Sequence, residues 1–514
     1  MRRSSARLSY FDESRLCNAV NEYLFLKHRS WPHPQAMLPI EGAVERHGLQ
    51  RFAVAHGVDH FVEIALVVAV GAWSGLDKGR EVFVTHGTIL VMHPKALLDI
   101  CSELVRLTLK FDHPADAIVS RFFRDNRGLG PRERATLAET VYTVLRKKLL
   151  FDHLAPSGSG PKERRLAILG FYGPGDFLRS ALTDQEKNWL DQCEKVDPKD
   201  LMERHRHNLP EWLVQPLKEQ VGDGFWPLVE CMNLGAGLDL RVNDFKAKRA
   251  DVQKELAKLG IKAVPTPYSP WGLRIAGKPA LNKVESFMRG EFEVQDEGSQ
   301  LLAMLLDAKR GEMVVDFCAG AGGKTLAIGA AMRSTGRLYA FDTSAGRLDS
   351  FKPRQARSGL SNVHPAAIAH ERDDRVKRLT GKIDRVLVDA PCTGLGTLRR
   401  NPDLKWRQTM QGVEEMAVKQ TAILQSASRM LKSGGRLVYA TCSVLPQENE
   451  AIAQAFSAAN PDFEPLSTGQ VLAGLKVQDA AGLCAGGEDG QLYLRLWPHT
   501  HNTDGFFAAV WQKK

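Results

Sequence analysis

Apolar residues recur at helical spacing from about residue 95 to 190, as in Leu97, Leu98, Cys101, Leu104, Val105 and Leu109, and again in Leu137, Val141, Val144 and Leu145. That spacing predicts a bundle of amphipathic helices, punctuated by turns at 128–131 and 155–161, where glycine and proline cluster. Between about 200 and 295 the texture is mixed: Leu238-Asp239-Leu240-Arg241-Val242 alternates as a strand should, and 248–259 reads as a helix stopped by Gly260. From Val294 onward short apolar strands alternate with helices. Candidate strands are 314–317, 338–341, 385–389 and 437–440, with a closing pair at 492–496 and 506–511 expected to add an antiparallel hairpin to the sheet edge. The alternation predicts an α/β fold with a doubly wound parallel sheet. The expected order is an all-α bundle (92–195), a small α/β module (200–295) and a catalytic sheet domain (296–514).

Residues 1–91 carry only short, irregular apolar runs and are left unassigned. Met92 stands immediately before His93-Pro94-Lys95 and the first clear helical pattern, so the natural start is expected there, the alternative being a poorly ordered extension. The length, 514 residues, suits about three domains. With 43% hydrophobic and 25% charged residues the chain is neither disordered nor collagen-like nor embedded in a membrane. The most apolar stretch, 61–73, contains Glu63, falls short of the ~20 residues that a membrane span needs and reads as buried core. The basic opening Met1-Arg2-Arg3 leads into no apolar signal core, so no export is expected. Eight cysteines without a Cys-x-x-Cys pair give neither a disulfide scaffold nor a structural metal, and point to a reducing cytoplasm. The net charge of +9 is compatible with a polyanionic partner. Arg121, Arg124, Arg127, Arg132, Arg134, Arg146, Lys147 and Lys148 crowd the bundle and read either as a nucleic-acid surface or as a solvated helix face.

The chemistry starts at Asp316-Phe317-Cys318-Ala319-Gly320-Ala321-Gly322-Gly323-Lys324-Thr325, which leaves a strand, turns through glycines and enters a helix. Such a loop aims backbone N–H groups and a helix N-terminus at an anionic ligand. A nucleotide-phosphate loop needs Gly-x-x-x-x-Gly-Lys-Thr, and Cys318 stands where the first glycine should be, although Val386-Leu387-Val388-Asp389 could pass for the acidic strand of such proteins. A dinucleotide fingerprint fails at Thr325. An adenosyl ligand such as S-adenosylmethionine fits as well, because Asp342 ends the next strand about 20 residues on, where a carboxylate can hold ribose hydroxyls. Asp342 could equally be a helix cap.

Two further cysteines discriminate. Cys392, in Asp389-Ala390-Pro391-Cys392-Thr393-Gly394, and Cys442, in Ala440-Thr441-Cys442-Ser443, both follow strands and should open into the crevice beyond the carboxyl edge of the sheet. Cys17, Cys101, Cys193, Cys231 and Cys484 read instead as inert filler. Carbon 5 of cytosine is too poor a nucleophile to attack a sulfonium methyl group, but adding a thiolate at carbon 6 makes it an enamine carbon. A carboxylic group such as Asp389 could stabilise the adduct at ring nitrogen 3. The segment Arg399-Arg400-Asn401-Pro402-Asp403-Leu404-Lys405-Trp406 and Arg407 offers phosphate contacts and an aromatic face, although Trp406 could as well be core. A hydrolase of nucleotides and a non-catalytic RNA-binding assembly factor remain as competing functions.

Taken together, the glycine loop, Asp-Ala-Pro-Cys-Thr-Gly, Arg399 to Trp406 and Tyr439-Ala440-Thr441-Cys442-Ser443 resemble the Sun (Fmu) family of RNA cytosine-5 methyltransferases. The resemblance extends through Val294 to Gln300 and Gly505-Phe506-Phe507 and so covers about 200–514, while the helical region resembles the antitermination-factor-like RNA-binding domain found beside such catalytic domains. It implies methyl transfer from S-adenosylmethionine to 16S ribosomal RNA, with Cys442 as nucleophile and Cys392 assisting product release. It also implies cofactor contacts from Cys318, Ala319, Gly320, Ala321, Gly322, Gly323, Lys324, Asp342 and Asp389, with Asp373 preferred over Glu371 as a further acid. Gly320-Ala321 replaces the family's usual Ala-Pro, which keeps the turn but not its stiffness. Mass spectrometry of the natively expressed protein is expected to find Met92 at the N-terminus, and a peptide from within 1–91 would contradict that.

Overall fold

The structure, a computed structural model, describes residues 92–514 and a short antiparallel pair, Phe52–Ala53 with Ala65–Leu66. Apart from that strand, the expected buried run at 61–73 lies outside the described residues, as does Cys17. The helical region begins with Pro94–Thr108, Ala115–Asp125, Pro131–Arg146 and Lys148–Leu154, and continues through Lys162–Leu169, Gly175–Ser180 and Asp184–Glu194. Leu104, Val105, Leu137, Val141, Val144 and Leu145 are buried, so the apolar period marks the inner faces of these helices. Their starts follow local chemistry: Pro131 opens one helix, and a reciprocal Thr183–Glu186 capping box opens another.

The small module is an antiparallel sheet of β1 (Leu238–Val242), β2 (Ala263–Pro265), β3 (Gly272–Ile275) and β4 (Phe292–Val294) in the order β2-β3-β1-β4, with helix Arg249–Lys258 packed on Leu240, Val242 and Phe292. The polar positions of β1 do not face water. Asp239 holds Arg274 at 2.7 Å and Arg241 holds Gln295 at 2.6 Å, while Gln300 donates to the Leu240 carbonyl, so helix Glu297–Leu305 covers that face. Burying a charge is tolerable when it is paired, as Asp239 is with Arg274, or hydrogen-bonded, as Arg241 is to the Gln295 amide oxygen.

The large sheet contains β5 (Met313–Asp316), β6 (Arg337–Asp342), β7 (Val363–Ala367), β8 (Ile383–Asp389), β9 (Leu431–Thr441), β10 (Phe463–Leu466), β11 (Cys484–Ala485), β12 (Tyr493–Leu496) and β13 (Phe506–Lys513). Its order is β7-β6-β5-β8-β9-β13-β12-β11, with β10 also pairing β13. The first five strands are parallel. Alternate residues feed two cores. Val314, Leu387, Val438 and Ala440 meet helices Glu297–Leu305 and Gly323–Ala331 on one face, while Val315, Val388, Leu437 and Tyr439 meet Met410–Ser428 and Glu450–Ala459 on the other. The closing hairpin is antiparallel and extends the sheet beyond β9, as expected; because β13 lies between β9 and β12, Phe506 through Trp511 are all buried. β7 went unmarked because Pro365 interrupts a half-exposed edge strand.

The loop expected to offer RNA contacts is turned inward instead. Trp406 Nε1 donates to the Leu145 carbonyl (2.8 Å), and Lys405 Nζ donates to the Arg146 carbonyl (2.9 Å) and Asn233 Oδ1 (3.1 Å). Arg146 Nη2 donates to the Arg399 carbonyl, Arg400 is held by Asp504 (2.6 Å) and Asp296 (2.9 Å), and Arg407 pairs with Asp403. Lys405 is buried and Arg399 nearly so, because the helical region packs over this loop and takes its donors. The same packing removes Arg146 from the basic surface.

Burial, with Arg146 nearby, holds the Lys405 ammonium well below its ordinary value of 10.5. Between the two values the unfolded chain binds a proton that the folded chain does not, so the contribution of Lys405 to stability rises with pH. The difference in unfolding free energy, Lys405→Met minus parent, is therefore expected to fall as pH rises from neutral toward 10.5. Denaturant titrations across that range check it, and a difference that does not change with pH contradicts it.

Candidate active site

β8 and β9 run in parallel register, with Asp389 opposite Ala440, and the ladder continues one bond further from Ala390 N to the Ala440 carbonyl (2.8 Å). Cys392 and Cys442 therefore leave neighbouring strand ends in step, and their sulfurs stand 3.3 Å apart. Both are half-buried. The hydrogen bond to Cys442, reinforced by burial, pushes the Cys392 thiol well above its usual range. Gly396 locks the two loops together: its N–H donates to the Cys442 carbonyl (2.8 Å), and its own carbonyl accepts from Gly505 N (2.8 Å). A Cβ at 396 would lie 2.1 Å from the Gly505 oxygen, so only glycine permits this crossing.

The glycine loop is fixed on the other side of β8. Phe317 N donates to Leu387 O and Ala319 N to Phe341 O, extending the β5 ladder into the turn. Gly322 has φ +79°, and a Cβ there would strike the Phe351 ring at 2.0 Å. Asp342 accepts from Gly320 N (2.8 Å) and Ser344 N (2.7 Å), so it shapes the loop as well as ending β6. Arg354 donates to the Ala321 carbonyl (2.7 Å) from outside and so clamps the turn. Burial pushes the Cys318 thiol up, and nearby Asp389, Asp316 and Asp342 add to it, so Cys318 stays protonated. Lys324 Nζ holds Asp389 Oδ2 at 2.6 Å. Burial alone would lower the lysine, but the carboxylate outweighs it and the ammonium is held above its ordinary value.

These bonds bear on the ligand. In a phosphate loop the lysine must reach phosphates and the threonine hydroxyl a metal ion. Here Lys324 is committed to Asp389, and the fully buried Thr325 hydroxyl donates to Asp316 (2.7 Å), whose carboxyl burial pushes up to about 7. The glycine turn and Asp342 stand together at the ends of β5 and β6, with Asp342 bonded to the turn at Gly320 N. Asp373 lies past β7, but its two oxygens accept from Ala369 N (3.0 Å) and Arg375 N (2.8 Å), which hold it below the usual carboxylate range as a cap of Asp374–Lys377. Glu448, which the sequence reading passed over inside the polar run Gln447-Glu448-Asn449-Glu450, is fully buried between the two cysteine loops.

Fold and site together define a methyltransferase built on a doubly wound sheet, with a thiol pair at its centre. The description "16S rRNA methyltransferase RsmB/F" matches residues 303–512, and an RsmF/B-like ferredoxin-like domain matches 209–282. The probable ribosomal RNA small subunit methyltransferase B of Synechocystis is 31% identical over 439 residues, covering 75% of this chain and 92% of the relative; that of Bacillus subtilis is 30% identical, covering 68% and 76%. The crystal structure of PH0851 aligns with 26% identity and a TM-score of 0.68 over 82% of this chain and 100% of its own, and that of a methyltransferase homolog protein from Pyrococcus horikoshii with 29% identity and 0.52 over 62% and 100%. The chain belongs to the 16S rRNA methyltransferase RsmB/F family, whose methyl donor is S-adenosylmethionine.

Gly396→Ala is expected to lower the unfolding free energy by about 1–3 kcal/mol through overpacking against backbone that cannot swing away. It should also slow methyl transfer, because Gly396 lies in the loop that follows Cys392 and the crowded atoms include the Cys442 carbonyl oxygen beside that of Gly505. Chemical denaturation and a rate assay on one preparation check this; parent-like values in both contradict it.

Proposed function

We propose that this enzyme methylates carbon 5 of a cytosine in 16S ribosomal RNA through a covalent cysteine adduct. The observation that supports it most is the 3.3 Å pair of sulfurs at adjacent strand ends, beside the glycine loop. The Cys442 thiolate adds to carbon 6, the ring electrons move to carbon 5, and carbon 5 takes the methyl group that bound S-adenosylmethionine supplies, the sulfonium leaving as a neutral thioether. A base from solvent then takes the carbon-5 proton, and the C–H electron pair re-forms the ring double bond, breaks the S–C6 bond and frees the Cys442 thiolate. Cys392, which keeps its proton, sits in sulfur contact to assist that release.

Asp389 hydrogen-bonds ring nitrogen 3, and the Asp389–Lys324 pair shares a proton with that nitrogen while the adduct exists and recovers it when the S–C6 bond breaks. The segment 318–324 with Asp342 and Asp389 holds the cofactor, with Asp373 as a more distant candidate. The target base enters unstacked, because carbon 6 is closed to a thiolate inside a helix. RNA phosphates are met less by the loop at 399–407 than by the helical region, where Arg124, Arg127 and Arg134 with Ser120 and Phe123 line an open depression of about 440 Å³. Such a substrate places the enzyme in the cytoplasm. Among the described residues no helix is long and apolar enough to cross a membrane.

Labelled methyl transfer to undermethylated 30S RNA tests the activity, and two variants test the roles. Cys442→Ala is expected to abolish transfer, whereas Cys392→Ala is expected to leave a protein–RNA adduct that survives denaturing gels. Exchanged behaviour of the two variants, or transfer retained without Cys442, contradicts the assignment.

A further inference from the structure

Glu448 sits in the short turn Pro446–Glu448 and is fully buried, with its carboxylate between the two cysteine loops. Its Oε1 accepts from Thr393 N (2.9 Å) and from Gln420 Nε2 (3.0 Å). Its Oε2 accepts from the Thr393 hydroxyl (2.5 Å) and from the Ser443 hydroxyl. Thr393 directly follows Cys392 and Ser443 directly follows Cys442. One side chain thus ties the residue after each thiol to a single point, and Gln420 carries the same network to the Pro391 carbonyl (2.9 Å) on the near side of Cys392. The point itself is rigid. Tyr439 Oη donates to the Glu448 carbonyl (2.6 Å), and Asn449 bonds both the Ser443 carbonyl (3.0 Å) and the Thr441 hydroxyl (2.5 Å), so the turn is anchored to the end of β9.

We propose that Glu448 is a positioning residue for the reaction, holding the Cys392 and Cys442 loops at the separation that keeps the two sulfurs in contact. This rests on the roles assigned to those thiols above. Strand pairing carries the two chains only as far as Ala390 and Ala440; beyond them the Gly396 N bond to the Cys442 carbonyl and a 3.3 Å contact between the Thr393 and Ser443 hydroxyls join the loops, and the Glu448 carboxylate accepts from both of those hydroxyls at once. A carboxylate suits the task because it accepts from four donors at once and a buried one is held firmly by them. Removing it would leave Thr393 N, two hydroxyls and the Gln420 amide without their acceptor.

The test needs a readout that does not depend on methyl transfer. Phenylarsine oxide bridges two thiols with loss of one water only where they already stand in contact, so the parent is expected to bind one equivalent through Cys392 and Cys442. Glu448→Ala is expected to weaken that capture and to lower kcat by about 10–100-fold, the range typical for groups that orient ligating side chains, while S-adenosylmethionine affinity stays within about twofold. Glu448→Gln retains two acceptors and two donors, so it should fold and recover most of both losses, and it serves if the alanine variant does not fold. Capture by the alanine variant equal to the parent's, or a parent that does not bridge its thiols, overturns the proposal, as does weakened capture with unchanged kcat. Failure of the reading beneath it shows separately, as methyl transfer that survives Cys442→Ala.

Discussion

The site depends on the parallel pairing of β8 with β9. Because Asp389 faces Ala440 in that ladder, chains that leave the two strands bring their cysteines to the same height above the sheet. Side chains alternate with a period of two, so a slip of one residue would send one thiol to the opposite face and move Val386, Val388, Leu437 and Tyr439 out of their core. Burial of those residues on one face, and of Leu387, Val438 and Ala440 on the other, therefore fixes the register, and the register sets where the two thiols emerge. The glycine loop obeys the same frame: it leaves β5, the neighbour of β8 on the other side, and is tied by backbone bonds to both flanking strands.

The accessory domains are joined to this frame through polar groups taken out of water. The segment from Arg399 to Arg407 follows the Cys392 loop and is gripped by backbone carbonyls of the helical region and by Asp296 and Asp504. β1 of the small module is sealed against helix Glu297–Leu305 by Asp239, Arg274, Gln295 and Gln300. Buried bonds of this kind add little net stability but are costly to leave half made, so they specify one arrangement of the domains around the thiols.

Much of this is readable along the chain. The parallel strands announce themselves as apolar runs because they are covered on both faces, and the glycine turn and the two cysteine motifs stand at strand ends as local patterns. What is hidden depends on distant packing. Lys405 and Trp406 look like a basic, aromatic RNA loop because nothing near them in sequence says that Leu145 and Arg146 will cover them. Glu448 lies in a polar run that reads as solvated, and only the fold closes Thr393, Gln420 and Ser443 around it. β7 escaped notice for the opposite reason: as a half-exposed edge with a proline it carries too little apolar signal.

The proposed chemistry turns on the Cys442 sulfur bonding to carbon 6 of the RNA base. An RNA substrate carrying 5-fluorocytidine tests it most directly, because fluorine at carbon 5 cannot leave as a proton does and the adduct cannot resolve. With the parent enzyme and S-adenosylmethionine, digestion and mass spectrometry of the arrested complex are predicted to place the nucleotide on the peptide that contains Cys442. Attachment through Cys392, or no arrested complex under conditions that methylate unmodified RNA, would contradict the account.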